Sequence, residues 1–180
     1  MKLNYTSCLV AATLLFAGTN ANANMLYDIY AGATAGFGGM AMISDDDHAD
    51  WSAQSYGAIA GIDLPVVRFE AEYNYLTSDK IDMHLAMGNA YVKLPGLVVV
   101  NPYIGVGIGA MIDADAKNHV DIDTTMAYQG MLGATFNIPT LPIKIDIEGR
   151  ALYMPELYSI GHDDVDGLQY DARVKLRYIF

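Results

Sequence analysis

From Tyr170 to Phe180 the chain alternates without a break: Tyr170, Ala172, Val174, Leu176, Tyr178 and Phe180 fall on one face of an extended segment, with Asp171, Arg173, Lys175 and Arg177 on the other. A period of two is the mark of a β-strand, because successive side chains of a strand point to opposite sides. One strand of this kind fits two architectures. In a soluble sheet the charged face looks out to water; in a membrane barrel the apolar face looks out to lipid and the charged face lines the lumen. Other segments must decide between them.

Two segments repeat the pattern with charges of both signs. Ile143, Ile145, Ile147, Gly149, Ala151 and Tyr153 oppose Lys144, Asp146, Glu148, Arg150 and Leu152, and Val67, Phe69, Ala71, Tyr73 and Tyr75 oppose Arg68, Glu70, Glu72 and Asn74. Four softer segments keep the period, with faces formed by Tyr27 to Phe37, Tyr56 to Ile62, Ile104 to Ile112 and Tyr128 to Phe136. Their opposite faces are mostly Gly, Ser, Gln and Thr. In Ile81 to Lys93, Met83, Leu85 and Met87 lie on one face and Ala90 and Val92 on the other, so a β-bulge near Gly88 is expected to reconcile them. The uncharged run from Leu94 to Ile112 approaches the length of a membrane-spanning helix, but its two prolines, four glycines and β-branched residues favour a turn followed by a strand. The expected fold is all-β: an eight-stranded antiparallel up-and-down transmembrane β-barrel, each strand near the roughly 9 to 11 residues that a tilted strand needs to cross hydrocarbon.

The N-terminus bears on where such a barrel would be delivered. Lys2, an uncharged apolar run from Leu9 to Gly18 and the small residues Ala21-Asn22-Ala23 follow one another as in a secretory signal peptide. Residues 1–23 are expected to be cleaved, leaving 24–180 as one barrel domain. The apolar run is far shorter than the ~20 residues of a spanning helix. Cys8 is the only cysteine, so the mature chain has no disulfide. Without Lys2 it carries 21 acids and nine bases. That balance makes nucleic acid a poor partner, since phosphate binding needs clustered Lys and Arg.

With the N-terminus periplasmic, the expected inner turns are Asp63 to Pro65, Leu94 to Pro102 and Asn137 to Pro142, which hold five of the six prolines. The expected outer loops are Gly38 to Ala53, Thr77 to Lys80, Asp113 to Thr125 and Met154 to Gly167, three of them long. They contain thirteen acids and only Lys80 and Lys117 as bases. Tyr73, Tyr75, Tyr128, Tyr153 and Tyr170 are placed toward an outer interface and Tyr27, Phe136, Tyr178 and Phe180 toward an inner one, as two aromatic girdles. On the expected lumen faces seven acids meet seven bases. Eight strands enclose a space that side chains nearly fill, so these charges must pair. Arg68, Lys144, Arg150, Arg173, Lys175 and Arg177 with Glu70, Glu72, Asp146 and Glu148 are the expected ion-pair plug.

Two other readings have residues behind them. Ser159 and His162 beside Asp163 and Asp164 contain the residue types of a catalytic triad, which would suit a lipid A-modifying enzyme of the outer membrane. None of His48, His84, His119 and His162 stands in a His-x-Ser arrangement. Three outer loops set His48, His119 and His162 among aspartates, a donor set for Ca²⁺, Mg²⁺ or Zn²⁺, but without the glycine and distal glutamate of an EF-hand. Solvated anionic loops explain the same residues, so no catalytic residue, metal or cofactor is assigned.

The N-terminal segment, the strand series, Asn101-Pro102-Tyr103-Ile104-Gly105-Val106-Gly107-Ile108-Gly109, Ala127-Tyr128-Gln129-Gly130 and the terminal Tyr178-Ile179-Phe180 resemble the outer-membrane β-barrel superfamily of opacity proteins and small surface antigens. The OmpA transmembrane domain and OmpX are more distantly similar. The resemblance covers essentially the whole mature chain. It implies a monomeric integral protein of the bacterial outer membrane, surrounded by lipid, with a role in envelope integrity, adhesion or contact with a host or environmental surface ligand. It also implies that Tyr178 and Phe180 are read by the barrel-assembly machinery. It supplies no catalytic residues. The chain is expected to end at the barrel without a peptidoglycan-binding domain.

Overall fold

The computed structural model describes residues 27–43, 48–78, 81–95, 99–116, 125–138, 140–160 and 163–180, and omits the side chains of 42–43, 48–51, 81, 113–116, 156–160 and 163–165. The expected signal peptide lies outside the described residues, as do His119 and His162. Eight strands follow in order: β1 (Asp28–Ile43), β2 (His48–Asp63), β3 (Val67–Ser78), β4 (Ile81–Lys93), β5 (Val100–Ala116), β6 (Met126–Asn137), β7 (Ile143–Ile160) and β8 (Asp163–Ile179). Each pairs antiparallel with the next, and β8 returns to β1, so the sheet closes on itself as a barrel.

The register fixes the barrel's shape. Following partners from Asp28 leads through Asp63, Arg68, Tyr91, Gly105, Met131, Arg150 and Asp171 and back to β1 at Gly38, ten residues above the start. That stagger in eight strands tilts them by roughly 40° from the barrel axis. The outward faces are apolar and exposed, with Phe37, Val106 and Leu132 each more than 60% exposed. Outward tyrosines mark the upper rim: Tyr56 donates to Gln54 (2.6 Å), Tyr153 to Asp166 (2.7 Å), and the Tyr73 hydroxyl meets His84 Nδ1 (2.7 Å). At the lower rim Tyr178 and Phe180 touch edge to face, and the Phe180 amide donates to the Ile29 carbonyl.

Two expectations are corrected. Alternation in β4 runs unbroken from Met83 to Lys93 with no bulge at Gly88, and Met83, Leu85 and Met87 face the lumen. The register shift lies instead between His84 and Leu85, opposite Asp113 and Met111, so the extra residue is Ile112 on β5. The other correction concerns length. The strands have 12 to 18 residues, and the stretches read as long outer loops largely continue as paired hairpins. β1 and β2 stay in register up to Ile43 and His48, and β7 and β8 remain paired up to Ile160 and Asp163 beyond a register shift between Met154 and Tyr158. The connections are then 44–47, 79–80, 117–125 and 161–162 at the outer end and 64–66, 94–99 and 138–142 at the inner end. The expected contrast of short turns and long loops is therefore carried mostly by hairpin extension. Pro102 lies within β5, paired with Ala134.

Several lumen-facing glycines are required by close approach. A Cβ at Gly61 would stand 2.3 Å from the Phe69 carbonyl and 2.6 Å from the Tyr30 hydroxyl, and one at Gly133 would stand 2.6 Å from the Ile147 carbonyl and 2.7 Å from the Tyr103 hydroxyl. Backbone on one side and a buried ring on the other leave nowhere to move. Gly133→Val is expected to destabilise the barrel by about 1–3 kcal/mol, read as a lower temperature for conversion of the compact, fast-migrating electrophoretic band to the unfolded one.

Candidate functional site

Over 68–72 in β3, 144–150 in β7 and 171–177 in β8 the lumen face carries a charged side chain at every second position, so the ionic residues of the sequence converge inside. The last strand supplies three stacked cations. Arg177 forks onto Asp146 through Nε (2.7 Å) and Nη2 (2.9 Å) and reaches Asp63 with Nη1 (3.3 Å). Lys175 donates to Glu70 (2.9 Å) and to the Tyr91 hydroxyl (2.8 Å), with Glu148 at 3.3 Å. Arg173 lies between Glu72 (2.5 Å) and Glu148, donating to both. The pairs to Glu70 and Glu72 join β8 to β3, strands that are not neighbours in the sheet, so they cross the lumen.

Arg150 completes the upper tier, forking onto Asp171 through Nε (2.9 Å) and Nη2 (2.7 Å), with Glu72 3.9 Å from its Nη1. Ser55 donates to Asp171, and Asn74 and Asn89 donate to Glu72. Arg68 reaches Asp146 at 3.3 Å, and its guanidinium lies over the rings of Tyr91 (3.9 Å) and Tyr103 (4.6 Å). Its Nε and Nη2 have no hydrogen-bond partner. Lys144 stands apart from the others. It sits at the inner mouth, 3.0 Å from Asp63 and 3.2 Å from Asp28, while Lys93 contacts Asp63 and the Leu64 carbonyl.

Every charged side chain from Arg68 to Arg177 in these upper tiers is nearly inaccessible, with Asp146 and Lys175 at 0% exposure. Burial of ions is tolerated only where opposite charge and hydrogen bonds replace water, which the forked contacts supply. Above them the lumen changes character. Met40, Ala53, Leu76, Met83, Leu85, Met87, Met111, Ala127, Leu152 and Met154 form one buried apolar cluster at the outer ends of their strands.

The sequence did not point to this apolar cap, nor to Tyr30, Tyr91 and Tyr103, whose hydroxyls donate to Glu70, Glu70 and Glu148. Lumen-side parity was the available signal for Tyr30 and Tyr91, each two residues from a lumen-facing charge at Asp28 and Lys93, whereas Tyr103 has only Asn101 and Gly105 at that spacing. Tyr178 and Phe180 lie outside the lumen. His84 faces outward against Tyr73 and Tyr75. The Ser159 side chain and His162 are outside the description, and among the described residues no group of three or more His, Cys, Asp and Glu side chains is set to hold a metal.

The closed sheet, the lipid-type exterior and the charged interior have a counterpart in sequence. The family model for the outer membrane protein beta-barrel domain matches residues 8–180. The chain belongs to that family. Among solved structures, Neisserial surface protein A is similar at 17% identity and a TM-score of 0.62, over 84% of this chain and 97% of that one. The N-terminal β-barrel domain of Pseudomonas aeruginosa OprF is similar at 10% identity and a TM-score of 0.51, over 82% of this chain and 97% of that one. At these identities the likeness is one of fold. No curated protein matches the chain. Family membership makes this an all-β protein of the bacterial outer membrane, in which the outward apolar faces meet lipid.

Arg173 is the most informative residue to remove, because it leaves Glu72 and Glu148 without their closest cation. Arg173→Met is expected to cost about 3–5 kcal/mol, measured as a lower urea midpoint in lipid vesicles. Adding Glu148→Gln should recover part of that loss, because one stranded charge is then gone.

Proposed function

We propose that this protein is a closed, non-enzymatic outer-membrane barrel whose charged lumen acts as a plug, and which holds its outer hairpins at the cell surface for envelope integrity or surface contact. The observation that carries the reading is the continuous series of ion pairs from Asp63 and the part-exposed Lys144 at the inner mouth to the buried Arg150 and Asp171, topped by an apolar cluster. An eight-stranded barrel is only wide enough for its own side chains to fill it. A conducting lumen would need those pairs hydrated and parted. A catalytic role would need a nucleophile aligned with a base, and the ions that crowd this lumen are engaged with one another.

The outer hairpins bear on the contact role. Residues 43–52 and 155–167 contain eight acids and no Lys or Arg. A ligand met there would carry positive charge, drawn by the anionic surface and weakened by salt. Delivery to the membrane is assigned to residues 1–23 as a cleaved signal peptide, and recognition by the assembly machinery to Tyr178 and Phe180, whose rings touch outside the lumen.

Planar-bilayer recording tests the plug directly. The purified protein is expected to give no large, stable conductance steps, and regular steps of fixed size would sink the reading. For the physiological role, a deletion strain is expected to gain sensitivity to detergent and chelator or to lose attachment to cationic surfaces. Wild-type behaviour in both assays would count against it.

A further inference from the structure

Three of the four arginines hold a carboxylate with the same edge of the guanidinium. Arg150 directs Nε and Nη2 at Asp171, Arg173 directs them at Glu148, and Arg177 directs them at Asp146. That edge carries two N–H groups side by side and is suited to gripping one anion with both. On Arg68 the same edge is without a partner. Its Nε and Nη2 make no hydrogen bond although the side chain is only 2% exposed, and Nη1 alone reaches Asp146. The rings of Tyr91 and Tyr103 attract the charge of this guanidinium but accept neither bond.

Negative charge is short here as well as acceptors. Among the described residues of the lower lumen, the four cations Arg68, Lys93, Lys144 and Arg177 draw on Asp63 and Asp146, with the half-exposed Asp28 beside Lys144 at the mouth. Asp146 already accepts two bonds from Arg177 and one from Thr135. Glu70, two residues along β3 from Arg68, accepts instead from Lys175 and from the Tyr30 and Tyr91 hydroxyls. A water molecule would satisfy the donors of Arg68 and leave its charge uncompensated. An anion answers both needs.

We infer that the Nε and Nη2 edge of Arg68 binds a small monovalent anion of the size of chloride. The size follows from the barrel, since eight strands enclose little more than their own side chains and leave no room for a bulky polyatomic ion. The direction of entry follows from charge. Lys93 and Lys144, both part-exposed, stand at the inner mouth and draw anions to that end of the lumen. Once bound, the ion is to Arg68 what Asp171, Glu148 and Asp146 are to the other three arginines. The site asks for one bound ion and no continuous path, so it stands whether or not the lumen conducts.

Replacing gluconate by chloride at fixed ionic strength, with the protein folded in lipid vesicles, tests this without changing the screening of other charges. The folded-to-unfolded ratio of the wild type, read from urea unfolding, is expected to rise by about tenfold and then saturate. Arg68→Met should show no such rise, whatever its own stability. If that variant fails to fold, Arg68→Lys, which keeps the charge and loses the fork, is expected to need more chloride for the same rise. Crystals soaked in bromide should give an anomalous peak on the Nε and Nη2 edge of Arg68. No rise in the wild type, an equal rise in the Arg68 variant, or a bromide peak confined to Lys93 and Lys144 would each overturn the assignment. A peak on Arg68 without the stability response would mean an adventitious ion only, and would overturn it as well.

Discussion

A polypeptide crossing hydrocarbon has to satisfy every backbone N–H and C=O internally, and a sheet does this only by closing. In this chain the closing seam runs from Tyr30 opposite Ile179 to Ile43 opposite Asp166. Much else follows from it. Closure at eight strands with a stagger of ten residues sets a narrow interior, and the narrow interior has to be filled by the inward half of each alternating strand. Those inward residues are the charged ones in β3, β7 and β8, so closing the sheet also forces ions together. β8 takes part twice. Its backbone completes the ladder with β1, and its Arg173 and Lys175 reach Glu72 and Glu70 on β3 across the lumen. Neither glutamate gains its β8 partner before the seam forms, which ties the electrostatic gain to the same event that satisfies the backbone.

The lumen is layered along its axis, and each layer conditions the next. At the inner mouth Lys93 and Lys144 share Asp63, and both lysines keep partial contact with solvent. Over them lie ion pairs with almost no exposure to solvent, and over those the cluster containing five methionines. Interactions between charges strengthen as the surroundings become less polar, and so does the cost of leaving one charge unpaired. The apolar cap therefore raises both the strength of the pairs beneath it and the penalty for disturbing them. Methionine suits this position because its unbranched side chain fills irregular space between strands of different length.

The period-two pattern read the architecture correctly for a physical reason: between the two girdles one face of each strand meets lipid and the other does not, so polarity reports geometry. It failed where that contrast disappears. In β4 the lumen itself is apolar at Met83, Leu85 and Met87, so hydrophobicity no longer separates the two faces and the pattern imitates a bulge near Gly88. In Gly38 to Ala53 both faces of the hairpin leave the hydrocarbon, so the sequence loses its alternation although the backbone pairing continues. The pairing of particular ions was legible only as a requirement. Charge balance on the lumen faces demands partners, but Glu72 and Arg173 are 101 residues apart, and only the stagger of the closed sheet decides that they meet. Alternation puts Tyr30 on the face of Asp28, away from lipid, but a requirement for charge pairing says nothing of uncharged hydroxyls, so the bonds of Tyr30, Tyr91 and Tyr103 to Glu70 and Glu148 were not legible.

Arg68 shows how far satisfaction of the network extends. Asp146 already receives two bonds from Arg177 and one from the Thr135 hydroxyl at 2.5 Å, which leaves Arg68 a single contact to it. The remaining donors of Arg68 lie between aromatic rings. Attraction between a guanidinium and a ring face is worth roughly 0.5–2 kcal/mol, less than a lost pair of charge-assisted hydrogen bonds, so the rings offset part of that deficit without removing it. The deficit falls on β3, whose other two ions are fully engaged by β8. The fork geometry thus goes to the strand that closes the barrel, and the poorer contact to the strand across from it. Such a distribution holds β8 most firmly, and β8 is the strand on which the closed state depends.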